Sequence, residues 1–378
     1  MHDIFLIPGF FGFANFGDIK YFSHVREVLM SAANRNGHEV RIHYVKTLPT
    51  ASLERRAAAV ADAIVKSAAE GSSVHLVGHS TGGLDARLLT SPGVTLPSEH
   101  DVEALAKRVS SVVSVAAPHS GTPLASFFVD VVGQQFLWAF STLTMHGLRL
   151  GSMPLPAMLA LAGSLPSMGK QRGPLLGLLE QVYRQLLQDF DEPRRLELEE
   201  FLRAAQSDQS LLPQLAPQGA REVLAETSTR PTTRYGAVVT QARPPSLRST
   251  VDVGLSPTGQ AMYALYRGLH QLAGSMEAED FEPLSEATRQ KLIAAYGTLP
   301  TSRSNDSIVP TLSQAWGEVI HATWADHLDV IGHFSGPDLT PRHYDWLSTQ
   351  THFTIEKFES LWNDIADFVF ADFVFAAE

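Results

Sequence analysis

Short apolar runs alternate with helical stretches through the first 120 residues, and this rhythm constrains the fold more tightly than any other property of the chain. Residues 4–7 (IFLI) form an uncharged run that stops at Pro8-Gly9. Residues 19–34 carry apolar positions at helical spacing, 39–45 alternate like a strand, and 50–69 form an Ala-rich stretch without a breaker. A second apolar run, 74–77, ends at Gly78; residues 86–89 continue a helix, and 109–116 are β-branched and uncharged. Strands with no polar alternation are buried on both faces, which demands a mostly parallel central sheet flanked by helices. With 378 residues of which 44% are hydrophobic, the chain has ample material for such a core.

After residue 125 the rhythm breaks. Residues 131–169 contain a single charge, Arg149, and four of the eight methionines, Met145, Met153, Met158 and Met168. A membrane span needs about 20 continuous apolar residues. Here Gln134, Gln135, Ser141, Thr142, Thr144 and His146 interrupt one half, and Pro154, Pro156 and Pro166 the other, so no transmembrane span is expected. Residues 174–206 turn charged and helical, with 194–200 reading as a solvated face. The segment 126–230 is therefore read as a helical insertion between two core portions, 1–125 and 231–378. In the second portion a strand is expected over 234–240, a Pro/Ser-rich loop over 243–254, and helices near 258–272 and 284–296. A polar loop at 302–309, a strand at 318–324 and a helix from Thr354 complete it. The pentapeptide ADFVF at 366–370 recurs at 371–375, a local duplication at a tolerant terminus.

Charge and cysteine usage exclude whole classes of function. Lys+Arg 29 against Asp+Glu 40 gives a net charge of −11, which repels a phosphate backbone and argues against nucleic acid as a partner. No cysteine is present, so disulfides, thiolate nucleophiles and Cys-based zinc sites are ruled out and the chemistry must use oxygen and nitrogen groups. Met1-His2-Asp3 opens acidic, and the apolar stretch 4–16 is broken by Pro8-Gly9 and Gly12, which reads as a first strand and loop rather than a secretory leader.

The chemistry concentrates at Gly78-His79-Ser80-Thr81-Gly82, placed after the 74–77 strand and before a helical run. This fits a G-x-S-x-G nucleophile elbow, where a sharp strand-to-helix turn exposes the serine hydroxyl and crowds its neighbours so that Gly78 and Gly82 are required. The helix beginning there points free N–H groups toward any developing oxyanion. A glycine-rich turn packed for steric reasons, or a phosphate cradle, is the competing reading. A serine nucleophile needs a histidine base and a carboxylate behind it. On the residues alone, His327 competes with His321, His333 and His343 for the base, and Asp306 with Asp252 for the acid.

With the elbow in view, the chain resembles the α/β-hydrolase superfamily, and within it the bacterial true lipases and related carboxylesterases. The elbow carries the match together with Ser304-Asn305-Asp306-Ser307-Ile308-Val309-Pro310, Trp324-Ala325-Asp326-His327-Leu328-Asp329, and the strand-end loop Ala117-Pro118-His119-Ser120-Gly121-Thr122-Pro123. The resemblance implies an α/β-hydrolase fold with a helical lid or cap at 126–230, and a triad in the chain order Ser80, Asp306, His327. It implies oxyanion donors at the N–H of Thr81 and of Phe10; Phe11 reads equally as packing. Pro8 stands where these enzymes usually carry histidine. Many relatives hold a structural calcium, for which Asp329 matches one acidic position, but His333 stands where an oxygen ligand belongs, so neither metal nor cofactor is assigned.

The function implied is a serine carboxylic-ester hydrolase, a lipase or esterase, acting on small-molecule or lipid esters, with contact to a lipid interface through the lid. Acyltransferase, amidase or polyester depolymerase activity with the same triad, or a non-catalytic lipid-binding scaffold, are the alternatives.

Overall fold

A computed structural model of the chain describes residues 1–10, 21–150, 153–165, 172–336 and 347–371. Six strands, β1 (His2–Ile7), β2 (Val40–Tyr44), β3 (Ser73–His79), β4 (Val109–Val115), β5 (Arg234–Gln241) and β6 (Glu318–Trp324), form one sheet in the order β2-β1-β3-β4-β5-β6. Every neighbouring pair is parallel. The chain moves from β1 outward to β2 and then returns to the other side of β1 for β3. That reversal leaves a crevice at the carboxyl ends of β1 and β3, where sheets of this kind place their ligands.

The helices follow in chain order: α1 (Val25–Arg35), α2 (Leu53–Ser67), α3 (Thr81–Thr90), α4 (Val102–Lys107), α5 (Pro123–Phe128), α6 (Val131–Leu150), α7 (Leu155–Ser164) and α8 (Arg172–Gln188). After them come α9 (Glu192–Ser207), α10 (Leu211–Leu215), α11 (Pro217–Leu224), α12 (Leu247–Asp252), α13 (Pro257–Ala273), α14 (Glu286–Tyr296) and α15 (Ile355–Phe370). The two-residue period of each strand divides its side chains between two layers. Ile4, Leu6, Val77 and Val113 meet Val25 and Leu29 of α1 and Leu361, Trp362 and Ile365 of α15. Phe5, Ile7, Leu76 and Val112 meet Leu53, Val60 and Ile64 of α2 and Leu84 and Leu88 of α3. The central strands are thus covered on both faces, as their apolar runs require.

Two helices lie where the sequence offers little periodicity. Residues 243–254, expected as loop, contain α12, whose start is capped by Ser246 Oγ accepting from Ser249 N at 3.0 Å. The short α4 is capped in the same way, Asp101 Oδ1 accepting from Ala104 N at 2.9 Å. In both, a single side chain supplies the acceptor for an otherwise orphaned N–H, and six residues are too few to show an amphipathic pattern.

Between β4 and β5 the chain runs through α5 to α11. Phe136 and Phe140 of α6, Met158 and Leu161 of α7, and Leu179 and Val182 of α8 share one apolar cluster with Tyr263, Tyr266 and Leu269 of α13. The end of the segment packs differently: Leu211, Leu215, Ala220 and Leu224 of α10 and α11 enter the core over α2 and α3. Among the described residues no helix is long and apolar enough to cross a membrane. The first ADFVF copy lies in α15, whereas the second, apart from Ala371, lies outside the described residues together with Met168 and Pro166.

The bend between β3 and α3 leaves no room for side chains on its glycines. A Cβ on Gly78 would sit 2.2 Å from the carbonyl carbon of Gly82, and one on Gly82 would sit 2.3 Å from the carbonyl oxygen of Ile7. Backbone cannot give way as a flexible side chain can. Gly78→Ala is expected to lower the unfolding free energy by at least about 2 kcal/mol, the upper range of overpacking costs, in urea denaturation; an unchanged midpoint and slope would contradict the packing described.

Candidate active site

Parallel register delivers three loops to the crevice. Ser80 follows β3 directly and adopts φ 55°, ψ −127°, a conformation rare for a non-glycine residue. Its backbone is pinned on both sides, Ser80 N donating to Val115 O at 2.8 Å and Ser80 O accepting from Gly83 N at 3.0 Å. The β5 end receives the loop carrying Asp306, through Ala242 N donating to Asn305 O at 2.9 Å. The β6 end is followed by His327, whose N–H donates to Asp306 O at 3.1 Å.

These three side chains meet. Ser80 Oγ lies 3.0 Å from His327 Nε2, and His327 Nδ1 lies 2.8 Å from Asp306 Oδ2. The Asp306 carboxyl is buried and ringed by donors. Its Oδ1 accepts from Ile308 N at 3.0 Å and Val309 N at 2.7 Å, and its Oδ2 accepts from Thr240 Oγ1 at 2.9 Å and Gln314 Nε2 at 3.2 Å. A carboxylate held by so many fixed donors cannot rotate away from the imidazole, and an acceptor at Nδ1 sets the ring with its Nε2 lone pair toward the serine.

The competing residues stand elsewhere. His321 Nδ1 pairs with Asp364 Oδ2 at 2.7 Å beside α15, and His333 Nε2 with the Tyr21 carbonyl at 3.0 Å. Asp252 faces Arg248 on the exposed α12. His343 and Phe11 lie outside the described residues. Phe10 and Thr81 border the same pocket as Ser80. At the position compared with a calcium site, Asp329 Oδ2 accepts from Asp326 N at 2.8 Å and from Thr351 Oγ1 at 3.0 Å. His333 Nε2 is turned to the Tyr21 carbonyl, and no group of three or more acidic or histidine side chains arranged to hold a metal occurs among the described residues.

A buried ion pair braces the first loop. Arg56 of α2 and Asp85 of α3 are both fully buried, with Nη2 2.7 Å from Oδ2. The same guanidinium donates to Pro8 O at 3.0 Å, Leu48 O at 2.7 Å and Thr81 Oγ1 at 3.4 Å. Pro8 has no side-chain donor to steady its loop, but its carbonyl is fixed from outside by Arg56. Sequence reading passed over this pair, although a charged residue three positions after Leu53 on the apolar face of an Ala-rich helix is a legible sign of a buried partner.

No family model matches the chain, and no match was found among curated proteins. Solved structures match nearly all of it. EstA from Clostridium botulinum is 17% identical with a TM-score of 0.51, over 97% of this chain and 87% of that one. Lipase 1 from Pelosinus fermentans is 16% identical with a TM-score of 0.51, over 97% and 98%. A metagenomic carboxyl esterase is 18% identical with a TM-score of 0.49, over 97% and 75%. The chain has the α/β-hydrolase fold. At these identities the likeness speaks for the scaffold, while activity has to be argued from the site.

Burial raises the Asp85 carboxyl to about 6 even against the attraction of Arg56. Removing the cation raises it further, while in the unfolded chain Asp85 stays ionised from pH 5 to 8. Arg56→Met is therefore expected to cost about 3–5 kcal/mol at pH 8, where the folded state holds an unpaired buried charge. The loss should be smaller at pH 5, where the folded carboxyl takes up a proton. Chemical denaturation at the two pH values reads the difference; equal losses would contradict it.

Proposed function

We propose that the chain is a serine carboxylic-ester hydrolase that cleaves hydrophobic acyl esters through an acyl-enzyme on Ser80. The observation that carries this reading is the unbroken run from Ser80 Oγ to His327 Nε2 at 3.0 Å and from His327 Nδ1 to Asp306 Oδ2 at 2.8 Å. His327 takes the Ser80 proton as Oγ attacks the acyl carbon, and returns it to the departing alkoxide. It then removes a proton from water, whose hydroxide releases the acid and restores Ser80. Asp306 orients the imidazole and stabilises its cationic form. The N–H groups of Thr81 and Phe10 serve as oxyanion donors in both half-reactions.

The substrate class rests on the space beside Ser80. A small apolar pocket of about 50 Å³ is bordered by Phe10, Pro118, Leu124, Phe128, Leu212, Leu215 and Ile308. Of its two further hydroxyls, Thr122 Oγ1 is occupied in donating to Ile308 O at 2.5 Å, and Thr81 Oγ1 accepts from Arg56 Nη2 at 3.4 Å. Such a wall offers an acyl chain apolar burial and offers a polar acyl group nothing to bond. We assign segment 126–230 as the cap over this pocket, with α6 and α7, which hold a single charge between them, Arg149, as its apolar part. Leu212 and Leu215 of α10 then close the acyl channel from the cap side.

Three variants test the proposal on a p-nitrophenyl ester series. Ser80→Ala should abolish turnover, and Asp306→Asn, which leaves the imidazole in the wrong tautomer, should lower kcat about 10⁴-fold; retention of turnover by Ser80→Ala would refute the mechanism. Leu215→Trp should shift the preferred acyl chain toward shorter esters, lowering the long-to-short ratio of kcat/KM at least about tenfold, within the range that a filled apolar pocket can discriminate. An unchanged ratio would place the acyl group elsewhere.

A further inference from the structure

Beyond the triad, a second chain of buried polar groups joins the loops that the hydrolase reading makes catalytic. Gly9 N donates to Tyr21 Oη at 2.8 Å, Tyr21 Oη lies 2.6 Å from His79 Nδ1, and His79 Nε2 lies 2.8 Å from the carbonyl oxygen of His327. Tyr21 and His79 are both buried. The proton directions are forced by the end groups. A carbonyl can only accept, so His79 carries its proton on Nε2 and leaves Nδ1 as an acceptor. The amide of Gly9 can only donate, so Tyr21 Oη accepts it and gives its own proton to Nδ1. One tautomer and one hydroxyl rotamer satisfy all four groups, and bonds aligned in this sense polarise one another.

We infer that Tyr21 and His79 are a coupled positioning pair that fixes the oxyanion loop and the histidine loop to one another across the nucleophile elbow, an inference that rests on the hydrolase reading proposed above. Gly9 immediately precedes the Phe10 peptide, so fixing its N–H sets how the Phe10 N–H is presented. At the other end, the backbone of His327 is gripped twice, by Asp306 O on its N–H and by His79 on its carbonyl. The His79 and His327 rings lie 4.6 Å apart between centroids. Burial lowers the His79 pKa well below the ordinary histidine value, and the charge of His327 acts in the same direction. An uncharged ring at that distance spares the His327 imidazolium a cationic neighbour during the reaction. Burial likewise keeps the Tyr21 hydroxyl protonated.

The pair is tested by Tyr21→Phe, His79→Leu, His79→Gln and the Tyr21→Phe/His79→Leu double variant. Reactive sites are counted by the endpoint stoichiometry of fluorophosphonate labelling, so that a misfolded fraction does not enter kcat. Tyr21→Phe and His79→Leu each leave buried groups unpaired and should lower kcat per labelled site about ten- to hundredfold, with KM changed less than about twofold. Gln presents one acceptor and one donor, so His79→Gln should recover at least about half of the logarithmic loss seen with His79→Leu. The double variant should be no slower than the worse single by more than about threefold, because both remove the same link. Wild-type kcat per labelled site in Tyr21→Phe, no recovery with Gln, or losses that multiply in the double variant would each overturn the pairing. Failure of the hydrolase reading looks different: the unaltered protein would neither label at Ser80 nor turn over esters.

Discussion

Ser80 and His327 stand 247 positions apart in the chain, and their 3.0 Å contact exists because the sheet brings the ends of β3 and β6 to one edge. Neither partner can reach the other by side-chain motion alone. The serine is lifted by a bend with φ of 55°, which the fold maintains by placing glycine on either side and by holding the Ser80 amide on Val115. The energetic cost of that backbone, of order 1–3 kcal/mol for such a conformation, is offset by the burial of both sheet faces against α1, α2, α3 and α15. A strained turn persists only where its surroundings allow no other path, and the close approach of Gly78 to Gly82 is that constraint.

Around the contact, the polar groups of the crevice are fixed by partners outside it. Asp306 has four donors besides His327, Arg56 ties the Pro8 carbonyl to Asp85, and Tyr21 with His79 ties Gly9 to His327. Each arrangement buries charge or hydrogen-bonding capacity that is costly if left unmatched. On the proposed hydrolase reading, their common effect is preorganisation: donors and acceptors are in place before substrate arrives, and little reorganisation is left for the chemical step. The apolar pocket bordering Ser80 supplies the opposite property, a wall with few polar demands, where the proposed hydrolase reading lays the acyl chain.

The sheet was legible because its strands are short, mostly apolar and punctuated, and because β3 is followed at once by the glycine-flanked serine. The elbow, the Asn305-Asp306 loop and the run around His327 were legible because each pairs a characteristic sequence with a fixed place relative to a strand. Other features were hidden for physical reasons. The helices α4 and α12 depend on one capping side chain apiece. Tyr21, His79 and Thr240 gain their roles from partners tens to hundreds of positions away, and no local pattern encodes such a pairing. Residues 126–230 read as one segment from charge and proline spacing, yet α10 and α11 pack with α2 and α3 while α6 to α8 pack with α13, a division that only tertiary contacts reveal.

The most direct measurement is acid-quench mass spectrometry of the chain mixed with a p-nitrophenyl acyl ester, followed by peptide mapping. A covalent acyl adduct should form within the first turnover on the peptide containing Ser80, and its formation should slow by several orders of magnitude in His327→Ala. Ester turnover with no adduct on Ser80, or an adduct that forms equally fast without His327, would contradict the account.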